Sequence, residues 1–179
     1  MQANSKLWIW IALLAVASVA FSFALACAAP LAAFATVAAL HTRRGEAFAF
    51  LIVVWLVNQV VGYGFHAYPR DLITFAWGLA LLASAGVAMA CAKAAMGRLK
   101  AGVAGVAIGF AAAFVGYEGT LYLAHFALGG GVEAYAPAVV AQILVLNALA
   151  LVSLMAIQPI AARFGVAPAF PASPAFARG

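Results

Sequence analysis

The stretch "LWIWIALLAVASVAFSFALACAAPLAAFATVAAL", residues 7–40, is an apolar run of 34 residues without a charged side chain. A membrane-spanning helix needs about 20 residues, within a range of about 17–25. The stretch is therefore too long for one span and has the length of two short ones. Pro30 suits the first turn of a new helix, so we expect a turn at about 27–30 and a short second helix at about 30–41.

The composition of the whole chain indicates a membrane protein. The 179 residues are 69% hydrophobic and only 7% charged, which is too little charge for a water-soluble domain of this size. The apolar runs are long and show no alternation, so they favour helices over the strands of a barrel. The predicted fold is therefore all-α, a polytopic membrane helix bundle embedded in the lipid bilayer.

Four further apolar runs follow the first and are separated by short segments that contain charges, Pro or Gly. They cover residues 47–65, 72–92, 101–128 and 137–160. Counting the first run as two helices, we predict six transmembrane helices, with five as the alternative. Residues 1–160 would form the transmembrane domain. Residues 161–179, rich in Pro and Ala, would form a disordered cytoplasmic tail.

The positive charges predict the orientation of the bundle. They concentrate in alternate loops and near the end of the last run: Arg43, Arg44, Lys93, Arg98, Lys100 and Arg163. Loops rich in Lys and Arg stay in the cytoplasm, so both termini should be cytoplasmic in a multi-pass protein of the bacterial inner membrane. The net charge of +5 is then a topology signal, and no nucleic-acid partner is predicted.

Polar side chains collect in the outer halves of the predicted helices. Glu118, Tyr122 and His125 are spaced i, i+4, i+7 and share one helix face, which we call the first stripe. The same spacing relates three residues of another helix, which we call the second stripe: Gln59, Tyr63 and His66. A charge at the bilayer centre costs about 2.5–3.5 kcal/mol, so such stripes usually face each other or a water-filled cavity.

These positions predict an outward-facing pocket for a small molecule. The candidate substrate-binding residues are Asn58, Gln59, Tyr63, His66, Trp77, Glu118, Tyr122 and His125. The alternative is that Glu118 and Gln59 only tie helices together by hydrogen bonds. We also expect Asn147 to bond across helices, and Gly105 and Gly109 to allow close helix packing within the protein.

Sequence signs of catalysis are missing, so an enzyme is not predicted. The chain has no Ser–His–Asp arrangement, no paired intramembrane carboxylates and no phosphate-binding loop after a strand. His66 and His125 raise the alternative of a bis-histidine haem in an electron-transfer protein. Cys27, at the expected outer turn, is a candidate ligand for a soft metal or a simple packing residue.

The segment "ACAAPLAAFATVAALHTRRGEAFAF", residues 26–50, can be read as an outer turn with proline, a short second helix, a basic inner turn and a third helix. With the layout of residues 7–160, it resembles the substrate-binding S component of energy-coupling-factor vitamin transporters, which are six-helix bacterial membrane proteins. The resemblance implies an outward-opening pocket and partnership with transmembrane and ATPase subunits. Ala20, Ala24 and Ala28 have the spacing of that family's coupling surface.

The same resemblance implies uptake of a vitamin or related micronutrient. The aromatic residues favour a large, flat ligand such as cobalamin, which the family's solitary cobalamin-binding branch holds through a cysteine on cobalt. Cys27 is the cysteine on the pocket side. A corrinoid would then be the substrate, and no resident cofactor is predicted. The alternatives are an accessory or assembly subunit without a ligand of its own, and the haem protein considered above.

Overall fold

A computed structural model of the chain describes residues 16, 29–41, 44–97 and 102–163. Several sequence predictions lie outside these residues: the first helix from residue 7, the metal-ligating Cys27, the coupling surface at residues 20–28 and most of the tail.

Within the described residues, all regular structure is helical. The elements are α1 (Leu31–His41), α2 (Arg44–Gly64), α3 (Leu72–Met96), α4 (Val103–Leu128), a 3₁₀ helix (Val132–Tyr135) and α5 (Pro137–Arg163). This confirms the all-α fold, and α1 is the short helix expected at about 30–41. The helices α2 to α5 are each long and apolar enough to cross a bilayer, so the protein is a multi-pass membrane protein.

The four long helices present an apolar outer surface. They contain 21 to 27 residues, or roughly 30–40 Å, and the hydrocarbon core is about 30 Å thick. Only 22% of the most apolar window of α3 and of α5 is buried within the protein. Leu79, Leu123 and Val152 are at least 60% exposed. Lipid is the environment that covers such a surface favourably.

The short helix α1 forms the centre of the bundle. Its residues from Leu31 to Ala38 are at most 3% exposed, and it contacts α2, α3, α4 and α5. Its 11 residues span only about 16 Å, half of a bilayer core. A helix that is apolar on every side is a buried helix. The ring of Phe34 packs edge-on against Phe50 of α2, with centroids 6.0 Å apart.

Because α1 begins inside the bundle, its first backbone N–H groups need acceptors from elsewhere. Asn147 of α5 supplies one: its Oδ1 accepts a hydrogen bond from the Ala33 N–H at 3.1 Å. Its Nδ2 donates to the Ile143 carbonyl at 3.0 Å. Asn147 is 2% exposed. The cross-helix bond predicted for this residue is confirmed, and its role is to cap a helix that starts inside the bundle.

The most extensive helix–helix contact joins α3 and α4. Gly105 and Gly109 are both buried, and a Cβ added at Gly109 would lie 2.6 Å from Met96 Cγ. Seven residues further along, a Cβ at Gly116 would lie 2.9 Å from Cys91 Sγ. The glycines therefore pack within the protein, as expected, and let the two helices approach closely.

One end of the bundle collects the end of α2, the start of α3, the end of α4, the 3₁₀ helix and the start of α5. Tyr63 stacks on Phe75 with centroids 5.1 Å apart, which joins α2 to α3. The chain leaves α4 through Gly129 and Gly130, whose φ angles are +75° and +138°. These left-handed conformations favour glycine. We call this the aromatic end of the bundle.

A candidate ligand-binding cavity at the aromatic end

A cavity of about 200 Å³ lies at the aromatic end, where all the described helices meet. Its walls are formed by Ala29, Leu31, Asn58, Leu81, Tyr117, Glu118, Leu121, Ala134, Tyr135 and Ile143. The lining is mostly apolar with a few polar groups, the usual character of a small-molecule site.

The cavity adjoins the capped start of α1. Leu31, the first residue of α1, and Ile143 of α5 both line it. The Ile143 carbonyl accepts a hydrogen bond from Asn147, which in turn accepts one from the Ala33 N–H. One hydrogen bond between two helices, from the Ala33 N–H to Asn147, therefore holds this part of the wall in addition to packing.

Glu118 contributes the single carboxylate among the described lining residues, and no Lys, Arg or His is among them. Its Oε1 is shielded from the surface and has no hydrogen-bond partner within the described part of the chain. An ionised carboxylate can only accept hydrogen bonds. Leaving a buried polar atom unpaired costs about 1–3 kcal/mol. Glu118 is thus an acceptor that the described part of the protein does not itself satisfy.

Tyr135, from the 3₁₀ helix, closes the cavity from the side of the loop. Its hydroxyl donates a hydrogen bond to the Leu121 carbonyl at 2.9 Å. Burial raises the pKa of Tyr135, and the nearby charge of Glu118 raises it further. The phenol therefore keeps its proton at neutral pH, and that proton is committed to Leu121 rather than to Glu118.

The first stripe continues from the cavity toward the loop under Tyr135. The rings of Tyr122 and His125 pack edge-on against Tyr135, with centroids 5.1 and 5.5 Å away. His125 and Trp77 flank Gly130, since a Cβ there would lie 3.2 Å from His125 Nδ1 and 3.6 Å from Trp77 Cζ2. Glu118 reaches the cavity, whereas Tyr122, His125 and Trp77 form the layer beyond it.

The second stripe faces α3. A Cβ added at Gly78 would lie 2.7 Å from Gln59 Oε1, so Gln59 lies against the α3 backbone. Tyr63 stacks on Phe75, also of α3. It is the neighbouring residue, Asn58, that lines the cavity, and it is 8% exposed. Of the eight predicted residues, the structure therefore brings Asn58 and Glu118 together at the cavity.

The two histidines considered for haem have different aromatic neighbours. His66 stacks on Tyr68 with centroids 6.1 Å apart, and His125 packs against Tyr135. Within residues 29–41, 44–97 and 102–163, no group of three or more His, Cys, Asp or Glu side chains is arranged to hold a metal ion.

Two aromatic members of the cavity wall were not among the predicted residues. Tyr117, which is 6% exposed, shares its face with Leu121 at i, i+4, adjacent to the first stripe. That spacing was a usable signal. Tyr135 has no periodic signal, because its position depends on how the loop after α4 folds back. Gly129, Gly130 and Gly131 were the only sequence hint of that reversal.

Comparison of the chain with models of known protein families, with curated proteins and with solved structures found no match, so the resemblance to energy-coupling-factor S components remains a prediction.

Proposed function

We propose that the protein is the substrate-binding subunit of a membrane uptake system for a vitamin or related micronutrient, with the solute bound in the cavity beside Glu118. The observation that carries this proposal is the buried Oε1 of Glu118 on a cavity wall, which has no hydrogen-bond partner among the described residues. A solute with a hydrogen-bond donor would satisfy that oxygen, which offsets the cost of keeping an acid at this depth.

The basic residues support an outward-facing cavity. Arg44 begins α2, Lys93 lies in the last turn of α3 and Arg163 ends α5. All three positions are at the end of the bundle opposite the aromatic end. The positive-inside rule assigns that end to the cytoplasm. In this proposal the first apolar run adds a sixth helix, and both termini are cytoplasmic in a bacterial inner membrane.

The cavity volume bears on the class of solute. About 200 Å³ is below the roughly 300–1,000 Å³ common for drug-sized ligands. The volume favours a micronutrient smaller than the corrinoid that the aromatic content first suggested. Energy for transport would come from the transmembrane and ATPase subunits that the family resemblance implies.

The proposal is tested by identifying what the protein carries. The parent protein, Ala134→Phe and Ala138→Phe would be purified in lipid nanodiscs, and small molecules released from each would be quantified by mass spectrometry. Ala134 lines the cavity, so a phenyl ring there fills space that the solute needs. Ala138, exposed at the start of α5, provides a control for the added ring.

We expect one non-lipid molecule to accompany the parent and Ala138→Phe, and to be lost from Ala134→Phe. The absence of such a molecule, or equal amounts in all three proteins, would reject the proposal. A visible absorption spectrum of the same samples separates the alternatives, because a haem or a corrinoid would be seen directly.

A further inference from the structure

We infer that the cavity selects a small organic cation with at least one N–H donor, with Glu118 as its counter-ion. This inference rests on the proposed function and specifies the chemistry of the solute. The charge of the wall, the unpaired Oε1 of Glu118 among the described residues, and the size of the space support it.

The charge of the wall is one-sided. Glu118 is the only acidic residue among the described lining residues, and Lys, Arg and His are absent from that set. A charge that is buried without an opposite charge beside it is strongly unfavourable, whereas a well-placed opposite charge offsets much of the free-energy cost of desolvation. An anionic solute would place like charges close together. A cation supplies the charge that this wall lacks.

One hydroxyl donor of the wall is already in use. The Tyr135 hydroxyl donates to the Leu121 carbonyl, which leaves it no proton for Glu118. The Oε1 of Glu118 has no hydrogen-bond partner within the described part of the chain. An ammonium or amidinium N–H would form a charge-assisted hydrogen bond with this oxygen, which is stronger than a neutral one.

The remaining polar wall also suits a cation. Tyr117 and Tyr135 contribute aromatic rings to the lining, and Asn58 contributes an amide whose oxygen can serve as a second acceptor. Aromatic rings attract cations by about 0.5–2 kcal/mol, depending on desolvation. With about 200 Å³ available, the solute is a compact cation of one ring or less.

Two probes of nearly equal shape test the charge preference: benzylammonium and benzyl alcohol. Each would be titrated into the parent protein in nanodiscs and followed by ligand-observed NMR. Signal that persists in Ala134→Phe counts as bilayer partitioning and is subtracted. We expect benzylammonium to bind at least about tenfold more tightly than benzyl alcohol, the size of one charge-assisted hydrogen bond.

The matched variants are Glu118→Gln and Glu133→Gln, which remove the same charge at two places. Glu133 lies in the 3₁₀ helix and is exposed. Glu118→Gln should weaken benzylammonium binding about tenfold and leave benzyl alcohol binding within about threefold. Glu133→Gln should bind both probes like the parent.

The inference is overturned if benzylammonium does not bind, if benzyl alcohol binds as tightly, or if Glu118→Gln and Glu133→Gln bind benzylammonium alike. These failures are distinct from failure of the proposed function. A co-purified molecule that Ala134→Phe displaces would still support a solute-binding subunit, but one that selects its solute by something other than positive charge.

Discussion

Asn147 and Glu118 are two strongly polar residues in the same apolar bundle, and they differ in the hydrogen bonding of their side chains among the described residues. The side chain of Asn147 accepts a hydrogen bond from the Ala33 N–H and donates one to the Ile143 carbonyl. The Oε1 of Glu118 is buried but has no hydrogen-bond partner within the described residues. Both lie at or next to the wall of one cavity. The hydrogen bonds of Asn147 therefore stabilise the fold, whereas the Oε1 of Glu118 is available to a bound solute.

The energetic reason is the asymmetry of buried hydrogen bonds. A made bond contributes about 0.5–1.5 kcal/mol, but a buried group left unmade costs about 1–3 kcal/mol. Replacing Asn147 should therefore harm the fold, whereas replacing Glu118 should relieve it. Opposite signs at neighbouring positions are a strong test, because a general intolerance of substitution would give the same sign at both.

The largest effect is expected for Asn147→Leu. The substitution leaves the Ala33 N–H without its acceptor in a buried place, and should lower the free energy of unfolding by about 1–3 kcal/mol. Thermal or denaturant unfolding in detergent measures this. Gln142→Leu, at an exposed position of the same helix, is the control and should change stability little. Equal losses in both variants would contradict the capping role.

Glu118→Leu should have a smaller effect of the opposite sign. Removing an acceptor that has no partner among the described residues should raise the free energy of unfolding by about 1 kcal/mol in protein freed of bound solute. The same substitution should abolish the binding of benzylammonium. If Glu118→Leu instead unfolds more easily than the parent, the carboxylate stabilises the fold through hydrogen bonds between helices. That result would contradict the difference drawn between Glu118 and Asn147.

Trp55 is a second polar residue that, like Asn147, has a hydrogen-bond partner on another helix. Its Nε1–H donates to the Gly78 carbonyl at 2.6 Å and joins α2 to α3, and Trp55 is not among the described lining residues of the cavity. Trp55→Phe should lower the free energy of unfolding by about 0.5–1.5 kcal/mol and leave probe binding unchanged. If Trp55→Phe changes probe binding as much as Glu118→Gln does, residues that stabilise the fold cannot be distinguished in this way from the residue that binds the solute.

The smallest effect is expected at Asp71, which is paired but fully exposed. Its carboxylate accepts the Thr74 N–H at 2.7 Å at the start of α3. That hydrogen bond lowers the pKa of Asp71 from its ordinary value of 3.8. A lowered folded-state pKa stabilises the protein above pH 3.8, and this contribution is lost as the pH falls through the lower value.

Asp71→Ala should therefore unfold at a slightly lower temperature than the parent at neutral pH, and the difference should shrink in acid. Asp71→Asn, which keeps a capping side chain without the charge, should show a weaker pH dependence than the parent. A difference between Asp71→Ala and the parent that stays constant with pH would contradict the role given to the charge.

The sequence predicted the parts of the fold that depend on chain length and on single unusual residues. The 34-residue run and Pro30 implied a short second helix, and Asn147 stood out as a polar residue expected to reach another helix. Both features are local or compositional. The structure shows both features, because polar groups of the backbone and of side chains in lipid must find partners within the protein.

The site residues were predicted only in part, because the sequence does not fix the rotation of a helix about its own axis. Asn58 and Gln59 are adjacent, so about 100° separates them around the helix axis. Since α2 is apolar on most sides, its pattern does not fix which of the two faces the cavity. Tyr135 depends on the loop from Gly129 folding over α4. No period in the sequence encodes that contact.

The most direct test is a high-resolution experimental structure of the purified protein in a lipid nanodisc. We predict non-protein density in the cavity, with an atom within hydrogen-bond distance of Glu118 Oε1 and with Asn147 bonded to the Ala33 N–H. A closed cavity in which Glu118 is hydrogen-bonded to another side chain would contradict the account, because the acid would then serve the fold as Asn147 does.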